Sequence, residues 1–320
     1  MNGSCVIAFA AVGVLCILCH GCGKDEHRQA RQEFVLEDEL KPLTPRDLFE
    51  MPVENLDRVD IGRMNIICAR DVTRNEIIDT AKYVAKLDEW AVIAKRLEQK
   101  YLPRYAKNAA RYDHSLAKFK AVTLALTIQQ DLKCGYNMEL ITSGAMNDLR
   151  TPRFFKNPDD VFITGLLKNG KGSCASMPVL FVALGRRLHY PVYLVHTKGH
   201  LYCRWDDGQE SFNIEMTGQG VGAPPDSAYK GPPYNPTEAE IKSEGMLRNL
   251  TNRESLALFV ETAGVSREAN GDFRLATILY DIALKLRPHS VMLRPLRDHA
   301  ARVAISIHNA MQLKEKETVK

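Results

Sequence analysis

Residues 169–188 read NGKGSCASMPVLFVALGRRL. The stretch changes character at its cysteine. Asn169 through Ser173 are polar and glycine-rich, whereas Met177 opens an apolar run that closes on Arg186-Arg187. Small residues followed by Pro178 mark a helix start, because a proline in the first turn gives up an N–H that has no helical partner anyway. The pattern predicts a helix to about His189, with Pro191 blocking its continuation. Cys174 therefore stands where a loop becomes a helix. A thiol attacks only as its thiolate, which a helix N-terminus or a neighbouring imidazole favours. First-turn amides can also hold the oxyanion of an acyl transfer. The competing reading of Cys174 is a buried small hydrophobe, so the case for a nucleophile rests on whether the chain supplies partners.

The partners are sought downstream. PVYLVHT, HLYCRW and SFNIEM are short, rich in Val, Ile, Tyr and Phe, and separated by Lys198-Gly199 and Asp206-Asp207-Gly208. These are strand and turn signals, and they predict an antiparallel meander. Alternation puts His200, Tyr202 and Arg204 on one face of the second strand and Leu201, Cys203 and Trp205 on the other. The third strand offers Asn213 and Glu215 on one face. Cysteine, then histidine, then an acid or amide is the chain order of a thiol triad.

GSCASMPVLFVALGRRLHYPVYLVHTKGHLYCRW followed by FNIEMT resembles the transglutaminase-like superfamily, whose fold is papain-like. It is most similar to a bacterial group with a GTCASMPVLY, HLFxRW and FNIE pattern. The motif-bearing likeness spans about 158–220, with a weaker likeness on either side. It implies Cys174 as nucleophile, His200 as base and Glu215 as the orienting acid. The chain departs from the family at Ile214-Glu215-Met216-Thr217, where Val-Asp-Pro-Thr is usual. The longer Glu keeps Asn213 as the alternative orienting residue. The expected fold class is α+β: a papain/transglutaminase-like core, with the Cys-bearing helix packed on an antiparallel sheet, N-terminal helices and a C-terminal helical hairpin. The expected function is acyl transfer at amide bonds of a peptide or protein, ending in hydrolysis or transamidation. The alternative is a catalytically silent binding module of the same fold, since many related domains lack the cysteine.

The rest of the chain frames this site. It has 320 residues, 45% apolar content and a net charge of +4. That is room for a sizeable core, and too mild and mixed a charge for a nucleic-acid surface. Residues 1–22 carry no charge and an apolar run from about Cys5 to Cys19, short for a membrane span and followed at once by GKDEHRQARQE. They read as an export signal, with Gly21 before Cys22 as a lipid attachment site, which implies an exported protein tethered to the cell envelope. A retained signal anchor and plain secretion are the alternatives. Residues 23–58 read as a polar tether and 59–245 as the transglutaminase-like domain.

Four of the eight cysteines lie in the signal region. Cys68, Cys134, Cys174 and Cys203 are too irregularly spaced for a disulfide scaffold or zinc ribbon. Cys68 and Cys203 read as core, and Cys134 as partly exposed. His196 and His200 invite a zinc reading, but Gly199 and the strand signals oppose a helix that would present both rings, and no third ligand is evident. No metal or cofactor is assigned. Arg186 and Arg187 read as an exposed helix end. Asn157-Pro158-Asp159-Asp160 reads as a turn, and 218–250, with Gly218, Gly220, Gly222 and five prolines, as loop. Residues 250–320 are helical. GDFRLATILYDIALKLRP sets small Ala276 and Ala283 around Tyr280 and resembles the second helix of a tetratricopeptide repeat. One such unit cannot bury its own face, so it is expected to pack on the core or on a final helix at 293–312, or to meet a protein partner.

Overall fold

The helix Met177–Arg187 is buried on every side from Met177 through Gly185. A helix apolar all round needs protein all round, and the other elements supply it. The structure is a computed structural model, described for residues 44–70, 78–142, 154–216 and 221–318. The expected signal segment, Cys22, most of the tether and Thr217 through Gly220 lie outside the described residues. In chain order, α1 (Pro45–Phe49), α2 (Val53–Leu56), α3 (Ile61–Arg70), α4 (Thr80–Lys107) and α5 (Leu116–Leu126) precede a two-residue strand, β1 (Gly135–Tyr136), and a short helix, α6 (Met138–Thr142). Next come α7 (Pro158–Val161), α8 (Ile163–Asn169), β2 (Lys171–Gly172) and α9, the buried helix Met177–Arg187. Then follow β3 (Val192–Thr197), β4 (His200–Asp206) and β5 (Ser211–Ile214), and after them α10 (Glu238–Glu244), α11 (Asn252–Ala269), α12 (Phe273–Leu286) and α13 (Leu293–Thr318).

The chain is α+β. α9 packs against α3, α4 and α8 and against β3 and β4. The three long strands form one antiparallel sheet in the order β3-β4-β5. Lys198-Gly199 closes its first hairpin with Gly199 at φ +73°, and Gly208 at φ +81° closes the second. These positive φ values are why glycine stands at both turns. Cys203 faces α9, its thiol 3.3 Å from the carbonyl of Pro178. A second, minimal sheet pairs β1 with β2 in parallel.

Several loop expectations give way to helix. Asn157 is a cap whose side chain accepts from Asp159 N–H at 3.1 Å, with Pro158 opening α7. Within 218–250 lie a helical turn at Asp226–Tyr229 and α10, which Thr237 and Glu240 open as a reciprocal capping box. The tether ends earlier than expected, since α1 and α2 bury Leu48 and Leu56 in the body. Arg186 and Arg187 are not a free helix end. Arg187, its side chain 11% exposed, pairs with Asp60 and Asp88, while Arg186 bonds Val192 O and Asn252. Charged groups at a helix C-terminus met acceptors from distant elements that no local pattern announces.

Residues 44–320 form one compact unit. α11 packs on α3 and against α12, and α12 on α13. Ala276, Tyr280 and Ala283 are fully buried, and a Cβ on Gly264 of α11 would stand 2.7 Å from the Tyr280 ring. Two polar residues tie the C-terminal helices down. Asn252 donates to the carbonyls of Leu56, Asp57 and Val59, and buried Glu244 accepts from Ser290 Oγ and from the Val291 and Met292 amides.

Candidate active site

Cys174 sits in a turn that runs straight into α9. Met177 N–H donates to Ser173 O at 2.9 Å, a helical bond that starts before the assigned helix. Both flanking serines are spent on holding this turn. Ser176 Oγ accepts from Ser173 N–H and donates to Asp160 O, and Ser173 Oγ accepts from Ala175 N–H. Gly172 is required by space, because a Cβ there would lie 2.8 Å from both Ser176 Oγ and Leu166 Cδ2. β1 braces the other side: Asn137 N–H donates to Gly172 O at 2.7 Å, and its side-chain amide to Asp160 Oδ1 at 2.8 Å. The sulfur is thus held by backbone fixed on two sides, and Cys174 is 5% exposed.

β4 begins at His200, directly after the Lys198-Gly199 turn. Its Nε2 lies 2.7 Å from Glu215 Oε2, and the ring borders the same cleft as Cys174, close enough for the sulfur to act on its proton. Burial disfavours a charge on the ring, but the thiol and the Glu215 carboxylate outweigh it and push the His200 pKa up to about 9. Glu215 is fixed in turn by Met216 N–H at 3.0 Å and by the Tyr229 hydroxyl, which donates to Oε2 at 3.1 Å. Tyr234 lies against the imidazole, ring centroids 5.3 Å apart. Asn213 bonds elsewhere, to Arg204, Pro224 O and Asp226. His200 and Glu215 are directly bonded, Cys174 borders the same cleft as His200, and Asn213 bonds elsewhere.

Tyr136 is the residue that sequence reasoning missed. Register with Gly172 across the β1–β2 pair sets it beside the cysteine turn. Burial, and then the nearby sulfur of Cys174, raise the pKa of its phenol. Tyr229 and Tyr234 were missed as well. Two aromatics within the proline-rich SAYKGPPYNP are the signal that could have found them.

The other thiols are elsewhere. Cys68 and Cys203 are fully buried. Cys134, expected to be partly exposed, is 1% exposed, and burial pushes its thiol up to about 12. Its Gly-Tyr neighbours form β1 rather than a solvent turn. His196 is buried in β3 with Nε2 3.0 Å from Glu244 O, and burial lowers its pKa to about 4. Among the described residues no group of three or more His, Cys, Asp or Glu could hold a metal ion, and no helix is long and apolar enough to cross a membrane. No family model, curated protein or solved structure matches the chain.

Proposed function

We propose that the chain is a papain-like thiol enzyme of transglutaminase-like type, which cleaves or exchanges amide bonds through an acyl-enzyme on Cys174. The observation that carries this reading is His200, 2.7 Å from Glu215, bordering the same cleft as Cys174. The thiolate is the attacking species in such enzymes, and a paired imidazole is the base that serves it. Cys174 Sγ adds to the amide carbonyl carbon. The Cys174 N–H and the Tyr136 O–H, from the strand beside the cysteine turn, are the donors assigned to the oxyanion. His200 then gives its proton to the leaving amine as the C–N bond breaks. Water or an amine attacks the thioester, His200 takes the proton, and the thiolate departs. Glu215 holds the ring orientation and stabilises its charged form throughout. The N-terminal segment fits export and tethering through a lipid on Cys22, and the substrate is a peptide or protein outside the cytoplasm.

The test is alkylation. Iodoacetamide near neutral pH, followed by peptide mapping, is expected to mark Cys174 ahead of Cys68, Cys134 and Cys203. An amide-directed activity-based probe is expected to label wild type and not Cys174→Ala. Absence of adduct at Cys174 would favour the silent binding module instead.

A further inference from the structure

From Cys174 and His200 a cleft of about 920 Å³, counting the part open to solvent, extends to the C-terminal helices. Phe154 and Phe155, packed edge-on at 5.0 Å, form one apolar wall. Leu258, Thr262 and Val265 present one stripe of α11 to the same space, and Met292 lies at the approach to α13. These α11 positions fall at i, i+4 and i+7, a single helix face. Arg287, Glu244 and Glu261 also line the cleft. Arg287, its side chain 7% exposed, is ion-paired with both carboxylates, so each charged group here already has a partner. Glu244 is further saturated by Ser290 and two backbone amides.

We infer that this cleft is the acyl-donor subsite and that it selects a large uncharged apolar side chain, of the phenylalanine or leucine class, beside the scissile carbonyl. The inference rests on Cys174 being the nucleophile and adds what α11 contributes to it. A carbonyl carbon at the sulfur leaves its neighbouring side chain within this space, because Cys174, Ala175, Gly199 and His200 border the same cleft. Apolar walls reward an apolar group in proportion to its area. A carboxylate or ammonium would lose water and find only charges that are already paired. The C-terminal helices are therefore part of the substrate site, with α11 in the place of a wall.

The experiment uses the full chain and compares iodoacetamide with N-acetyl aminoacyl chloromethyl ketones built on Phe, Leu, Gly, Asp and Lys. In each the sulfur displaces halide, so a thioether forms as the carbon–halogen bond breaks. The Phe and Leu reagents are expected to alkylate Cys174 at least 10-fold faster than the Gly, Asp and Lys reagents. In Thr262→Trp and Leu258→Glu, the ratio of the Phe rate to the iodoacetamide rate on the same variant is expected to fall at least 5-fold. Alkylation of Cys174 with no side-chain preference, or with a charged reagent fastest, overturns the subsite and leaves the nucleophile standing. Absence of alkylation by every reagent overturns both. The wild-type ranking decides by itself should a variant fail to fold.

Discussion

His200 is buried yet holds its proton more tightly than a free imidazole, and that balance sets the behaviour of the residues around it. Its pKa in the folded chain, about 9, lies above the ordinary value of about 6.5. The stabilisation that follows is fully present below about pH 6.5 and is lost as pH rises through about 9. The difference in urea-unfolding free energy between wild type and His200→Ala is therefore expected to narrow from pH 7 to pH 10. A constant or widening gap would show that His200 contributes by packing alone. Glu215→Gln keeps the shape and removes the charge, and is expected to slow Cys174 alkylation near neutral pH by about 10²-fold, the scale of a positioned acid–base group. Asn213→Ala, whose side chain reaches Arg204 and Asp226 instead, is expected to cost less, and the reverse order would reassign the orienting role. Tyr136→Phe is expected to lose about 10²–10³-fold in turnover of an activated ester, the scale of one oxyanion donor, and less in alkylation, which develops no oxyanion.

At the scale of elements, α9 and β4 follow directly from local pattern. An apolar run behind Pro178 made the helix, and period-2 alternation after Lys198-Gly199 sent Cys203 toward α9 and left His200 and Tyr202 on the other face. The two-residue strand β1 had no such signal, because its two residues acquire a structure only by pairing with β2. The capping residues Asn157 and Thr237 were in the sequence, but among prolines they read equally well as turns. The crossing of α11 and α12 carries a stability prediction. Val at Gly264 would improve on glycine's helix propensity by a few tenths of a kcal/mol at most. Its Cβ would meet the fully buried Tyr280 ring at 2.7 Å, and overpacking of this kind costs about 1–3 kcal/mol. Gly264→Val is thus expected to be destabilising, with a lower urea midpoint and an unchanged m-value.

Across the whole molecule, the C-terminal helices and the sheet-bearing body behave as one unit. Asn252 reaches three carbonyls of the N-terminal segment, Glu244 anchors the approach to α13, and Leu256, Ala257, Phe259 and Val260 are buried. Both tryptophans, Trp90 and Trp205, lie outside the C-terminal helices. Fluorescence therefore reports the body, while far-UV circular dichroism reports all helices. The two signals are expected to change together on heating, as a single cooperative transition requires. An earlier loss of ellipticity would make the helical tail a separate domain.

The sequence by itself determined the α+β class, the buried helix behind Cys174, the hairpins of β3, β4 and β5, and the candidates Cys174, His200 and either Glu215 or Asn213. Each of these rests on short-range rules: a proline in a first turn, glycines at positive φ, alternation along a strand, and a motif that spans neighbouring elements. Only the tertiary structure decided that Glu215 and not Asn213 meets the imidazole, that Tyr136 pairs beside the cysteine turn, that Arg186 and Arg187 are tied inward, and that α11 borders the cleft. Those outcomes depend on contacts between segments far apart in the chain, where packing and electrostatic partners are set by the fold as a whole and leave no periodicity to read.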